Sequence, residues 1–310
     1  MGVVYTLNGP IDAADLGPVL PHEHLPLHMP ANETDEFTSV NRDLIYRWYE
    51  PVLDDLEATP FRTLVDVSPT GHGRDIEFRR ELMKGRSVHV VMSTGFYVDD
   101  KQPQWAREQS ADELTEFMVR ELEEGIGDSG VRAGIIKLAP DAKSGQSRKV
   151  CRAAVEAAKK IGACITTHSC RRSRETFDLL TGYGLPPEKL YIGHADFVEA
   201  EENEYVCRAG AHVLYTVWGI DRFIPDELMY KRFAALVEKG HTENVLLSVD
   251  FAIIYQQNGD ILWTLYDVPG RTHAYLDTTV IPKLKTDYGL GDEDLRVITE
   301  DNPRTMLDFR

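Results

Sequence analysis

At 310 residues the chain can bury one large core or two modest ones, and α/β barrels of about 250 residues routinely form a single domain. Hydrophobic residues make up 42% of the chain and charged residues 27%, as is ordinary for a soluble globular protein. The formal net charge of -17 argues against nucleic-acid binding, because phosphate contacts need an excess of Lys and Arg. It argues more weakly against anionic membranes.

The four cysteines form no CxxC pair, and their scatter favours reduced thiols over a disulfide scaffold. The first residues show neither a basic stretch nor a sustained apolar run, so we expect no secretory signal. No window approaches the roughly 18 apolar residues that a membrane span needs. We therefore expect a soluble cytoplasmic protein with a small-molecule substrate and no nucleic-acid or membrane partner.

Short apolar runs alternate with longer amphipathic stretches along the chain. Each run is rich in Val, Ile, Leu or Thr, as strands buried on both faces of a parallel sheet are. The eight predicted strands are Pro18–Leu25, Phe61–Ser68, Val88–Tyr97, Ala133–Ala139, Ala163–His168, Leu190–His194, Ala211–Val217 and Val245–Asp250.

Helix signals recur between the strands, beginning with a capping box at Ser110 and Glu113. Apolar residues at helical spacing and helix-ending glycines mark the others. The predicted helices run from Ser110 to about Gly125, from Val150 to Ile161, from Pro225 to Gly240, over Leu276–Tyr288 and over Glu293–Thr299.

Eight strands that alternate with helices predict a single (β/α)8 barrel domain over residues 1–310. A doubly wound open sheet also alternates, but it more often carries a Gly-rich phosphate loop after its first strand, and this chain has none. The segment Phe251–Pro269, which includes Tyr255, Trp263 and Tyr266, is predicted to be a long loop over the active-site face.

The first predicted strand ends in Pro21-His22-Glu23-His24. Residues two apart in a strand point to the same face, so His22 and His24 project together while Glu23 points away. Two adjacent imidazoles can chelate one metal ion, although such a pair alone is weak evidence.

Ligand-type side chains also end three later strands, at His168, His194 and Asp250. In a barrel these ends meet at the active-site face, so four such ends favour a metal site over a structural role. Lys137 lies late in another apolar strand, where burial should lower its pKa. A neutral amine there can add carbon dioxide and form a carbamate; alternatively, Lys137 extends to the barrel rim.

This ordered set resembles the ligand set of the phosphotriesterase family of the amidohydrolase superfamily, and its lactonase-like members in particular. The resemblance runs from Val4 to Phe309, and it is supported by motifs around Gly17, Gly134-Ile135-Ile136, Ile192-Gly193, Ala195-Asp196 and Asn302-Pro303-Arg304. It implies a distorted metal-dependent hydrolase barrel with two divalent metal ions, bridged by carbamylated Lys137 and a hydroxide. Zinc is the expected metal, although manganese, cobalt and iron accept the same donors.

Under this resemblance His22, His24 and Asp250 hold the more buried ion, His168 and His194 hold the other, and Lys137 bridges both. Asp250 then moves a proton from the hydroxide to the leaving group. Tyr97 resembles a tyrosine that lies over the metals in lactonase-like members, and it either positions a carbonyl group or forms a pocket wall.

Five further side chains are expected to shape substrate specificity, with packing or solvation as the alternative: Arg171, Arg172, Trp218, Arg222 and Trp263. If the arginines face the pocket, a substrate that carries a carboxylate or phosphate is favoured over a neutral lactone. The remaining histidines are interpreted as structural: His28, His72, His89, His212, His241 and His273.

The function predicted is therefore hydrolysis of a lactone or carboxylic ester by a metal-bridging hydroxide. The same centre could cleave a phosphotriester, a phosphodiester or an amide, because the ligands do not select the bond. A non-catalytic metal-stabilised barrel is the third alternative. Related barrels are often dimers, so a homodimer is a further expectation.

Overall fold

The computed structural model describes residues 2–28, 35–37, 39–255, 261–264 and 268–308. The strands are β1 (Val3–Thr6), β2 (Gly9–Asp12), β3 (Val19–Glu23), β4 (Leu27–His28), β5 (Thr63–Asp66), β6 (His89–Phe96), β7 (Ala133–Leu138), β8 (Ile165–Thr167), β9 (Leu190–Gly193), β10 (His212–Tyr215), β11 (Val245–Leu247), β12 (Ile253–Tyr255) and β13 (Ile261–Thr264). The α-helices are α1 (Ser39–Glu57), α2 (Ile76–Leu82), α3 (Gln104–Glu108), α4 (Ala111–Glu123), α5 (Gly145–Ile161), α6 (Ser173–Gly182), α7 (Ala200–Arg208), α8 (Asp226–Glu238), α9 (Ile281–Tyr288), α10 (Asp292–Arg296) and α11 (Asn302–Leu307).

Eight parallel strands form one sheet in the order β11-β10-β9-β8-β7-β6-β5-β3. The two ends of this order meet, because the backbone N–H of His22 donates to Ser248 Oγ at 3.0 Å. The backbone N–H of Asp250 also donates to the carbonyl of His22 at 3.2 Å. The sheet is thus nearly closed, which confirms the predicted (β/α)8 barrel.

All eight barrel strands lie within the predicted apolar runs, but several are shorter at their C-terminal ends. His168 and His194 each follow the last residue of their strand, and Asp250 lies three residues after β11. Polar side chains that interrupt an apolar run therefore mark the beginning of the loop, where barrel enzymes carry their active sites.

Side chains alternate between two apolar cores along the barrel strands. Val65 and Ile135 belong to the cluster inside the barrel, while their chain neighbours Leu64 and Ile136 belong to the larger core between sheet and helices. This period of two is the reason that the strands read as continuous apolar runs.

The N-terminal end of the barrel is closed by an apolar plug. The antiparallel pair β1–β2 and the short 3-10 helix Ala13–Leu16 lie there, together with α11. Val4, Leu16, Met306 and Leu307 are buried in the same cluster as the barrel interior. The polar side chains predicted to bind metal lie at the opposite, C-terminal end of the strands.

The helices follow the predicted signals closely. The capping box of Ser110 and Glu113 forms at the start of α4, and Gly162 ends α5 in the left-handed conformation at φ 84°. The predicted helix over Leu276–Tyr288 begins with the π-helical turn Leu276–Val280, which continues into α9. The last predicted helix consists of α10 and the π-helical turn Val297–Asp301, which continues into α11. Among the described helices, none is long and apolar enough to cross a membrane.

The prediction of one long loop over Phe251–Pro269 is wrong for part of that segment. Strands β12 and β13 pair antiparallel, and β12 pairs parallel with β4, so a small three-stranded sheet forms. Its two-residue strand β4 is too short to produce a sequence pattern. Tyr266 lies outside the described residues.

Candidate metal centre

The C-terminal end of the barrel brings together the six residues predicted to bind metal. Their side chains come from β3, β7 and the loops after β3, β8, β9 and β11: His22, His24, Lys137, His168, His194 and Asp250. All are buried except His24 and His168, which are partly exposed.

Contacts join these side chains into one cluster. Lys137 Nζ lies 2.7 Å from His22 Nε2, and the rings of His168 and His194 lie 4.2 Å apart at their centroids. Donor atoms of His22, His194 and Asp250 lie within 4.8 Å of one another, a spacing that can hold a metal ion. His194 is shared with a second such group, which contains His168 and Cys170.

One chain of hydrogen bonds orients His194. Its Nδ1 lies 2.8 Å from Thr216 Oγ1, and that hydroxyl donates to the Asp196 carboxylate at 3.2 Å. Burial raises the pKa of Asp196 to about 7, although hydrogen bonds from the backbone N–H groups of Thr216 and Val217 act to lower it. With Asp196 ionised, Thr216 accepts from Nδ1–H, and Nε2 of His194 keeps a lone pair.

A parallel chain orients His24. Its Nδ1 lies 3.0 Å from Ser68 Oγ, and Ser68 donates to Asp66, which forms a buried ion pair with Arg79 at 2.6 Å. Ser68 Oγ therefore accepts from Nδ1–H of His24, and Nε2 of His24 lies 3.3 Å from Asp250 Oδ1. A proton or a metal ion between these two atoms would make the contact attractive.

These observations fit divalent metal ions. His194 Nε2 is buried and has no hydrogen-bond partner in the part of the chain that the structure describes, and an orphaned buried acceptor is costly unless something binds it. Imidazole nitrogens together with a carboxylate suit zinc, manganese, cobalt or iron. The described donor atoms form two overlapping groups, one of His22, His194 and Asp250 and one of His168, Cys170 and His194.

Burial lowers the pKa of four basic groups of the cluster, which are His22, His168, His194 and Lys137. Desolvation, reinforced by the nearby Lys137 charge, lowers the pKa of His168 to about 3 and holds the pKa of His22 and of His194 well below the ordinary value. Desolvation also lowers the pKa of Lys137 to about 7, against the attraction of Asp250. Neutral imidazole is the form that binds metal.

Two of the candidate ligands lie in strained backbone. His194 has φ 58° and Asp250 has φ 53°, in the left-handed region that non-glycine residues adopt at a cost of about 1–2 kcal/mol. Such strain persists where the surroundings fix a residue for a functional reason.

Glu23 is the first functional contributor that the sequence interpretation missed. It points away from the cluster, as alternation predicts, but its carboxylate accepts from the backbone N–H groups of Val249, Asp250 and Phe251. Burial acts to raise its pKa, yet hydrogen bonds from His273, Ser248 and Val249 hold that pKa below the ordinary value. Glu23 thus fixes the backbone that carries Asp250.

The cluster opens into a cavity of about 170 Å³. Its described lining is largely apolar apart from the metal-ligand side chains: His24, Leu27, Val67, Pro69, His72, Tyr97, Lys137, His168, Asp250 and Ile254. The Tyr97 hydroxyl lies 3.2 Å from His168 Nε2, and burial raises the pKa of Tyr97 above its ordinary value. Tyr97 is therefore a neutral phenol beside the cluster.

His72 was interpreted as structural, but the structure places it in the cavity wall. It is 3% exposed, its ring packs edge-to-face on Tyr97 at 4.9 Å, and neither ring nitrogen has a hydrogen-bond partner. Desolvation lowers its pKa to about 3, so the ring is neutral. Its place in the loop after a barrel strand was the available sequence signal.

Four of the expected specificity residues do not belong to the described lining of the cavity, and their role in specificity stays a prediction. Arg171 and Arg172 line a separate surface pocket, and Arg172 pairs with Asp141 at 3.3 Å. Trp218 is fully buried against Tyr230 and two other aromatic rings, and exposed Arg222 stacks on Phe223. Trp263 belongs to β13, opposite Ile254, and its side chain lies outside the described part of the chain.

The other histidines fall into three groups. His273 binds Glu23 at 2.9 Å, and His212 stacks on Tyr191 at 4.2 Å, so both have structural contacts. His89 begins β6 and His241 precedes a short 3-10 helix. The side chain of His28 lies outside the described residues.

A nearly closed barrel with this cluster at the C-terminal ends of its strands defines the class of metal-dependent barrel hydrolases. The model of the phosphotriesterase family matches residues 2–307, and the chain belongs to that family.

Curated relatives cover nearly the whole chain. A phosphotriesterase homology protein of Mycobacterium tuberculosis is 29% identical over 98% of this chain and 97% of its own length. An aryldialkylphosphatase of Saccharolobus solfataricus is 27% identical, with 96% of each chain covered. A human N-acetyltaurine hydrolase is 24% identical over 100% of this chain and 99% of its own.

Proposed function

We propose that this hydrolase cleaves lactones or carboxylic esters that carry no charge. The observation that carries the proposal is the neutral phenol of Tyr97, held 3.2 Å from His168 Nε2 beside a cavity with apolar walls. Such a phenol can donate a hydrogen bond to a carbonyl oxygen next to the metal cluster. Apolar walls suit the alkyl part of an ester.

In this proposal His22, His24 and Asp250 hold one divalent ion, His168 and His194 hold the other, and carbamylated Lys137 bridges them. When bound, the two ions lower the pKa of a water molecule and polarise the oxygen of the scissile bond. Support for the bridging role comes from the family and from the burial of Lys137 against His22.

The chain's own residues then move the protons. Asp250, buried at the cluster, accepts the proton of the attacking water and passes it to the departing alkoxide. Tyr97 keeps its proton and orients the carbonyl group. Glu23 holds the Asp250 backbone in place, and Leu27 and Ile254 keep bulk water from the reacting groups.

A neutral substrate is favoured because the arginines near the fifth barrel strand lie elsewhere. Arg171 and Arg172 line a surface pocket together with Glu175, Asp178 and Glu202, whose carboxylates repel an anionic substrate. No Arg belongs to the described lining of the cavity, and Lys137 is engaged with His22.

Phosphotriester, phosphodiester and amide hydrolysis are the alternatives. The aryldialkylphosphatase and N-acetyltaurine hydrolase relatives show that the family includes proteins named for other bonds. A phosphotriester is also neutral, so it is the stronger alternative substrate. A phosphodiester is an anion and is less compatible with this cavity. A purely structural barrel would not need a cavity open to the cluster.

The experiment compares kcat/KM of the zinc- or manganese-loaded protein for lactones, matched phosphotriesters, amides and carboxylate-bearing lactones. We expect neutral lactones to exceed every other group by more than about a hundredfold, roughly 2.7 kcal/mol of transition-state preference. Arg172→Ala is the matched control and should leave the ranking unchanged. A phosphotriester, an amide or an anionic lactone at the top of the ranking would overturn the proposal.

A further inference from the structure

Cys170 lies two residues after His168, in the turn that follows β8. Its Sγ is 3.5 Å from His168 Nε2, and donor atoms of His168, Cys170 and His194 all lie within 4.8 Å of one another. We propose that Cys170 is a third protein ligand of the metal ion held by His168 and His194. This inference rests on the metal-dependent function proposed above.

The observed spacing matches coordination by a common ion. With Zn–N near 2.05 Å and Zn–S near 2.3 Å, a tetrahedral ion places nitrogen and sulfur about 3.6 Å apart. The Cys170 Sγ to His168 Nε2 distance of 3.5 Å agrees with this value. The side chains therefore need little rearrangement to share one ion.

His194 supplies the second, independent observation. Its Nδ1 is engaged by Thr216, while its Nε2 is buried and has no hydrogen-bond partner among the described residues. A thiol hydrogen bond from Cys170 to His168 would satisfy those two groups and leave His194 orphaned. A metal ion between the three satisfies all of them.

The other cysteines do not share these surroundings. Cys151 and Cys207 are buried in the core between sheet and helices, and Cys164 is buried in the barrel interior. Cys170 is partly exposed and is the cysteine found in a potential metal group of the described residues. Cys151 thus provides a matched control for any effect of removing a thiol.

A thiolate at this position has a chemical consequence. Sulfur ligands favour zinc, cobalt and cadmium, whereas manganese prefers oxygen and nitrogen donors. Metal binding must also displace the thiol proton of Cys170 into solvent. The position held by His168, His194 and Cys170 should therefore prefer metal ions with high affinity for sulfur.

The test strips the full-length protein of metal with a chelator and reloads it with two equivalents of Co²⁺. We expect a near-ultraviolet sulfur-to-cobalt charge-transfer band in the wild type and in Cys151→Ala. Cys170→Ala and Cys170→Ser should lose that band while the visible ligand-field bands of bound cobalt remain. Cobalt bound without the band in the wild type, or a band that survives in Cys170→Ala, overturns the inference.

Metal affinity gives a second readout. Cys170→Ala should weaken zinc binding about tenfold or more and manganese binding by less than about threefold, while Cys151→Ala changes neither. Equal losses for both metals contradict a sulfur ligand. A wild type that hydrolyses lactones with no cobalt–sulfur band refutes only this ligand, whereas a wild type that binds no cobalt refutes the proposed function as well.

Discussion

The two ends of the barrel use the same eight strands for opposite purposes. At the N-terminal end Val4, Leu16 and Met306 bury apolar surface, which stabilises the fold by about 25 cal/mol per Å². At the C-terminal end the strands bury imidazoles, an amine and carboxylates, which costs free energy unless each is bonded. Stability therefore depends most on the first end, and chemistry on the second.

The structure also shows how the polar end is tolerated. Two chains of hydrogen bonds, one through Thr216 and Asp196 and one through Ser68 and Asp66, each engage the Nδ1 atom of one histidine. These histidines are His194 and His24, and the chains leave Nε2 of each ring directed at the cluster. The comparison predicts that mutations at the two ends separate activity from stability.

The largest effect should come from Asp250→Asn. Because the amide cannot accept the proton of the attacking water, kcat/KM should fall by about 10²–10⁴-fold. The thermal midpoint should stay close to that of the wild type, since the side chains have the same shape. Kinetics, metal content and calorimetry measure the three quantities, and an Asn variant within tenfold of wild-type activity contradicts the role of Asp250.

Leu16→Ala tests the opposite end. Loss of a fully buried side chain from the plug should lower the free energy of unfolding by about 2–5 kcal/mol. The folded fraction should keep kcat/KM within about twofold of the wild type. Urea unfolding and kinetics below the transition provide the data; a large loss of activity would show that the ends are not independent.

Thr216→Val sharpens the role of the hydrogen-bond chain on His194. The variant keeps the volume but removes the oxygen that fixes the ring, so metal affinity should fall by about 10–100-fold. Competition with a chromophoric chelator measures this change. Thr176→Val, at a buried threonine of α6, is the control, and an equal loss in both variants would refute a specific effect.

Tyr97→Phe should have the smallest effect. Removing one hydrogen bond to a neutral carbonyl group costs about 0.5–1.5 kcal/mol, which corresponds to roughly a two- to twelvefold loss in kcat/KM for lactones. The loss should appear with lactones and not with phosphotriesters if Tyr97 reads the carbonyl group. A loss of the same size for both substrates would instead indicate a pocket wall.

Much of this could be predicted from the sequence because it depends on local patterns. Each barrel strand is an apolar run, and the polar residue that interrupts the run, as at His194 or Asp250, marks the active-site end. Parallel strands in a barrel bring such ends together without further information. The fold, and the meeting of these polar side chains at one end of the barrel, followed from these two facts.

Other features depend on tertiary contacts that no local pattern records. Alternation shows that Glu23 points away from His22, but not that it meets three backbone amides of a loop more than 220 residues later. His72 and Cys170 lie in loops, where spacing does not determine direction. The ion pair of Arg172 with Asp141 and its place in a surface pocket likewise depend on tertiary contacts.

The most direct test of the central claim is a metal titration of chelator-treated protein, with hydrolysis of a neutral lactone as the readout. We expect negligible activity without metal and a rise that reaches its plateau at about two equivalents of zinc per chain. His168→Asn should reduce the bound zinc toward one equivalent. Full activity without metal, or a plateau at one equivalent in the wild type, would contradict a two-metal hydrolase.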